Sequence, residues 1–228
     1  MKRGGLLAAA LAALLFISFT SIPAFASRYY EERADDDDGI AGTTVPKASY
    51  RWDSDMQWCV YKEDGVRNTY YSWAKLGVHK WRMALKDYTA DRAEWNMPIK
   101  RAATENMPAD CDVKVYIYDT YKDFPGYPEQ TGAYTSVQYK NGVASSASVY
   151  MSPQVLHGDG KNVIDLPGYA YRNSAIHEVG HVLGLAHMQK AKGYLMSPTF
   201  DFWEQKEQMP ITTLELSTLV EMYGTDGF

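Results

Sequence analysis

Residues 177–187 read His-Glu-Val-Gly-His-Val-Leu-Gly-Leu-Ala-His, and no other stretch limits the fold of this chain so tightly. On a helix, His177 and His181 stand four residues apart, one turn along the same face, so both imidazoles can offer a nitrogen to one metal ion. His187 can join them only if the chain leaves the helix at once and doubles back, and Gly184 stands where that turn requires a positive φ. The fold must therefore contain a helix that ends abruptly beside a three-histidine cluster. Three protein ligands leave one tetrahedral position of a zinc ion open, which is the arrangement of a reactive site; a purely structural zinc is normally closed by four. Glu178 follows the first ligand directly, so its carboxylate lies beside the metal and not on it, placed to act as a general base.

The elements around this helix follow from periodicity. Met56 to Tyr61 reads as a strand. Tyr71, Ala74, Val78, Trp81, Leu85 and Tyr88 recur at helical spacing and form the apolar stripe of a long amphipathic helix. Val113, Val115 and Ile117 alternate with Lys114, Tyr116 and Tyr118, a two-residue period that predicts a strand with two unlike faces. Ala133 to Tyr139 and Ala144 to Met151 read as two more strands joined by Asn141-Gly142, a dipeptide suited to a tight hairpin turn. Thr212 with Glu215 makes a capping box for a last helix whose apolar face is Leu216, Leu219, Val220 and Tyr223 and whose end is Gly224. Strands and helices in this order predict an α+β domain with a twisted mixed β-sheet, and not repeated βαβ units.

The start of the chain is different in kind. Lys2 and Arg3 precede an apolar run from Leu6 to Phe19 and then Ala24-Phe25-Ala26, which predicts a secretory signal peptide over 1–26 and a secreted, extracellular protein. The run is short for a bilayer span, which needs about 20 apolar residues, and no stable membrane insertion is expected. Residues 27–48 carry Glu31, Glu32 and the run Asp35 to Asp38 and read as an acidic linker or short pro-segment. That run is read as solvated charge; calcium has no support beyond it. The domain proper spans 49–228, with no internal repeat. A formal charge of −5 without a basic stripe argues against a nucleic-acid partner, and none is expected. With 46% hydrophobic residues, 14% aromatics and two cysteines, the chain is neither disordered nor disulfide-dense. In an exported protein Cys59 and Cys111 are suited to one disulfide, closing a loop of about 50 residues worth roughly 3 to 4 kcal/mol. The alternative is a thiolate that ligates zinc and keeps the site latent, but the context Gln57-Trp58-Cys59-Val60 matches no such switch.

Taken with Tyr194-Leu195-Met196-Ser197-Pro198 downstream, the five positions His177, Glu178, His181, Gly184 and His187 resemble the metzincins, zinc endopeptidases defined by HExxHxxGxxH and a methionine turn. Within them the chain is most similar to the matrixins, the family of the matrix metalloproteinases and their prokaryotic relatives. Leu195-Met196-Ser197-Pro198-Thr199-Phe200 and the closing Met222-Tyr223-Gly224 carry that similarity, which extends from about Tyr50 to Gly224. The resemblance implies one catalytic zinc, a methionine floor at Met196, a protein or peptide substrate extended beside the strand Ala133 to Ser136 (with Ala133 and Tyr134 in contact), and a pocket wall of Pro198, Thr199 and Phe200.

Several departures accompany it. No Pro-Arg-Cys-Gly stretch precedes the histidines, so latency by that device is not expected. Only His79 and His157 remain outside the motif, too few for the family's second, structural zinc; His79 reads as structural and His157-Gly-Asp159 as an ordinary loop. Met188 replaces the serine common after the third histidine, and Pro198 stands where many metzincins place a tyrosine that holds the oxyanion. Two other classes stay open at this point: a secreted binding or adhesion protein that keeps zinc for its fold, against which the intact Glu178 speaks, and a zinc hydrolase of a non-peptide cell-wall substrate. Nothing in the sequence reports the oligomeric state.

Overall fold

The computed structural model describes residues 29–33, 45–90, 95–125, 132–156, 161–188, 193–198, 207–225 and 227–228. The expected signal peptide, the Asp35 to Asp38 run, the His157 to Asp159 loop, Thr199 and Phe200 lie outside the described residues. In chain order the elements are β1 (Tyr30–Glu31), β2 (Trp58–Lys62), α1 (Asn68–Tyr88), β3 (Ile99–Arg101), β4 (Val113–Ile117), a short 3-10 turn (Tyr121–Asp123), β5 (Ala133–Lys140), β6 (Val143–Met151), β7 (Gln154–Leu156), β8 (Val163–Asp165), α2 (Gly168–Val182), β9 (Ile211–Thr212) and α3 (Thr213–Tyr223).

Five of these strands form one sheet in the order β3-β2-β4-β6-β5. β5 runs antiparallel to β6, and the other pairs are parallel. The turn between β5 and β6 is Asn141-Gly142, both with positive φ (55° and 80°). The expected α+β architecture with a mixed sheet is thus present, and the alternation in β4 becomes a buried face of Val113, Val115 and Ile117. On the other face Tyr61, Tyr116, Tyr150 and Tyr134 stand in one cross-strand row over β2, β4, β6 and β5.

Against the buried face lie α1 and α2, with Trp58, Trp81 and Leu85 fully enclosed between the layers. Each such side chain contributes about 1.5 to 3 kcal/mol on burial. Trp81 also donates its indole N–H to the Ile176 carbonyl at 2.7 Å, which ties α1 to the middle of α2. α1 starts at Asn68, earlier than its apolar stripe; Tyr71 and Tyr88, at the two ends of that stripe, are only half-buried. β2 begins at Trp58, with Met56 buried in the approach to it. Cys59 and Cys111 form a disulfide that joins β2 to the segment leading into β4, so neither sulfur is available as a thiolate ligand.

Two described parts of the acidic 27–48 segment are built into the domain. β1 pairs in parallel with β9, and the Tyr30 ring packs edge-on against Tyr88 at 5.7 Å. Arg33 extends the pairing through its backbone to the Thr213 hydroxyl and lays its guanidinium over the Tyr194 ring. Val45 is buried, and Pro46 and Ala48 exchange backbone hydrogen bonds with Ala186 and Gly184. Aromatic and main-chain pairing, which a charge count does not register, holds these stretches in place.

Candidate metal centre

α2 is enclosed on nearly every side, with residues 173–180 all buried, so it carries no amphipathic stripe. Its C-terminal carbonyls have no partners within the helix and must be satisfied from elsewhere. Three side chains do this. Tyr50 donates its hydroxyl to the His181 carbonyl at 2.5 Å, Trp52 its indole N–H to Val182 at 2.8 Å, and Tyr223 its hydroxyl to Leu183 at 2.8 Å. The Ala48 N–H then reaches the Gly184 carbonyl at 2.7 Å. Gly184 has φ +99°, and a Cβ there would stand 2.7 Å from Met222 Cε and 2.9 Å from the Tyr50 carbonyl oxygen. Only glycine satisfies both the left-handed turn and this crowding. The chain therefore turns within one residue and delivers His187 back to the helix face.

The three imidazoles converge through their Nε2 atoms. His187 Nε2 lies 3.2 Å from His177 Nε2 and 3.0 Å from His181 Nε2. Each helical histidine has its other nitrogen committed: His177 Nδ1 donates to the Leu195 carbonyl at 2.6 Å and His181 Nδ1 to the Leu185 carbonyl at 2.8 Å. A carbonyl only accepts, so the ring protons sit on Nδ1 and both Nε2 atoms present lone pairs. His187 has at most one proton on Nε2 with which to bridge two such contacts. Without a cation, one of them would set lone pair against lone pair. A zinc ion about 2.0 to 2.1 Å from two nitrogens at a tetrahedral angle holds them about 3.3 to 3.4 Å apart, close to the spacings found here. The backbone carbonyls that orient the rings are the supporting contacts such a site requires.

Burial keeps these rings neutral and therefore able to ligate. It drives the His177 pKa well below its ordinary value, with the neighbouring His181 adding to the effect and the Leu195 carbonyl opposing it. His181 is lowered to about 4, again chiefly by burial, and His187 is lowered as well. Among the described residues these three form the one group of histidine, cysteine or acidic side chains able to hold a metal ion.

Glu178 turns toward β5. Its carboxylate is buried, which raises its pKa to about 7, and the Thr135 hydroxyl opposes that rise by donating to Oε2 at 2.6 Å. Thr135 is absent from the residues that spacing identifies. It lies on the same face as Val137, which alternates with exposed Ser136 and Gln138, but a single threonine there carries no ligand or acid–base spacing of its own.

The remaining expected residues are distributed as follows. Met196 is fully buried beneath α2, its Sδ 2.5 Å from where a Cβ on Gly180 would stand; the glycine makes room for the sulfur. Ala133 and Tyr134 lie on β5, the outermost strand of the sheet. Because Thr135 faces α2, the Tyr134 ring falls on the opposite face, stacked on Tyr150 at 4.8 Å. Pro198 is exposed at the end of the methionine turn. His79 is exposed on α1 and belongs to no metal-ligand group.

A family model described as matrixin matches residues 16–224, a span that takes in every element described above from β1 to α3. No curated protein matches the chain.

Proposed function

The chain belongs to the matrixin family, and from that premise we propose that it is a zinc-dependent endopeptidase in which Glu178 serves as the general base. The observation that carries this reading is the convergence of three neutral imidazole nitrogens beside a buried carboxylate that takes no part in their cluster.

His177, His181 and His187 hold the metal, and three ligands leave one coordination position for water or substrate. When bound, zinc supplies acidification of that water toward a pKa of about 7 and polarisation of the scissile carbonyl. Glu178 accepts a proton from the attacking water as the oxygen bonds to the carbonyl carbon. It then passes that proton to the amide nitrogen as the C–N bond breaks. The outer edge of β5 pairs with an extended substrate main chain, which fixes a peptide without demanding one particular sequence. With residues 1–26 read as a signal for export, the substrate is met outside the cytoplasm.

Residues 27–228, incubated with an unfolded protein such as casein and separately with a panel of cell-wall fragments, test the reading. Cleavage of the protein that a chelator abolishes and zinc restores is the expected result. Hydrolysis confined to the wall fragments would replace it with a non-peptide hydrolase, and zinc binding without any hydrolysis with a binding protein.

A further inference from the structure

Glu178 receives its one side-chain hydrogen bond, among the described residues, from Thr135. Thr135 Oγ1 lies 2.6 Å from Glu178 Oε2 and 3.2 Å from the Glu178 main-chain carbonyl. A hydroxyl has one proton to give, and the charged, shorter acceptor takes it. Among the described residues no cation pairs with this carboxylate and no hydrogen bond reaches Oε1. The two oxygens are therefore unequal. A free glutamate side chain also has rotamer freedom worth about 1.5 to 2 kcal/mol, and a β-branched donor whose own χ1 is restricted removes part of it before any substrate arrives.

Resting on the peptidase reading above, we propose that Thr135 is a positioning residue for the reaction: its hydroxyl pins Oε2 of Glu178 and leaves Oε1 as the oxygen that takes and returns the proton. Thr135 belongs to β5, the strand proposed to carry the substrate main chain. One element thus sets both the substrate register and the aim of the base. A 1 Å error in such an aim is costly in rate even when binding is intact.

The experiment compares wild type with Thr135→Val, which keeps the shape and loses the hydroxyl, and Thr135→Ser, which keeps the hydroxyl and loses the methyl. Zinc content, thermal midpoint and the separate values of kcat and KM on a fluorogenic peptide are read for each. The valine variant lowers kcat about 10- to 100-fold with KM changed less than about 2-fold and zinc still stoichiometric. The serine variant recovers most of that loss. In a Glu178→Gln background, Thr135→Val costs nothing further, because the two act as one unit. A valine variant with wild-type kcat, or a serine variant as impaired as valine, overturns the proposal.

Should wild type bind zinc and cleave no peptide, the peptidase reading fails, and the carboxyl group still reports on its partner. The infrared difference between wild type and Glu178→Gln isolates the Glu178 carboxyl band. That band shifts in Thr135→Val and stays in place in Thr135→Ser if the hydrogen bond holds Oε2. An unshifted band in the valine variant overturns the positioning role independently of activity.

Discussion

Two glutamates in this protein are buried to a similar degree and have similar partners, yet only one of them adjoins the three-histidine cluster. Glu178 and Glu215 are 5% and 0% exposed, and burial raises both pKa values to about 7. Each accepts from a threonine hydroxyl on Oε2, Thr135 in one case and Thr212 in the other. Glu215, however, spends that oxygen on its own helix: Oε2 also takes the Thr212 backbone N–H at 2.7 Å, closing the capping box at the start of α3. Glu178 lies inside α2, directly after a metal ligand, and its partner comes from a different element. A perturbed carboxyl therefore marks a candidate only when its surroundings leave an oxygen something to act on.

The largest expected difference between the two is in rate. Glu178→Gln lowers the initial rate on an unfolded protein about 100- to 10,000-fold, the usual contribution of a general base, while Glu215→Gln stays within about 3-fold of wild type. Equal losses in the two variants would erase the distinction.

The pH dependence of stability should treat them alike, because both carboxyls are raised from 4.5 to about 7; Glu215 isolates the effect from the metal centre. The ordinary value for Glu215 is 4.5 and its folded value is about 7, so between these limits the folded protein holds a proton that the unfolded chain has released. Stability falls as pH rises through that window, is fully retained below it, and levels off above it. The full drop is on the order of 3 kcal/mol. Urea unfolding of wild type and Glu215→Gln at pH values across the window measures it, and the variant lacks this component of the slope.

A smaller effect sharpens the picture at the C-terminal end of α2. Tyr223→Phe leaves the Leu183 carbonyl without its hydroxyl donor and the Trp52 N–H without its acceptor, and costs about 1 to 3 kcal/mol in chemical denaturation. Its expected zinc content is unchanged, because Gly184 and the Ala48 pairing still turn the chain toward His187.

What was legible in the sequence follows the same division between local and distant partners. His177 and His181 are set by helical spacing, Gly184 by the need for a turn, the β5–β6 hairpin by Asn141-Gly142, and the Thr212/Glu215 box by a three-residue interval. The side chains that complete the site have no such local signature. Thr135 is 43 residues from Glu178, and the hydroxyl of Tyr50 caps a carbonyl 131 residues away. In β5 the residues from Ser136 to Lys140 alternate, but before them Tyr134 and Thr135 reverse the usual character of the two faces, with an aromatic ring outside and a hydroxyl inside, so the alternation does not mark Thr135. α2 is surrounded by protein and leaves no periodicity to read, and the short strands β1 and β9 exist only because two distant segments pair.

Zinc K-edge absorption on the metal-loaded protein tests the central claim most directly. The account predicts three imidazole nitrogens at about 2.0 to 2.1 Å, one further light-atom ligand from solvent, and the same spectrum for Glu178→Gln. A shell of four protein ligands, or a spectrum that changes when Glu178 is replaced, would contradict it, because the carboxylate would then be holding the metal and could not serve as the base beside it.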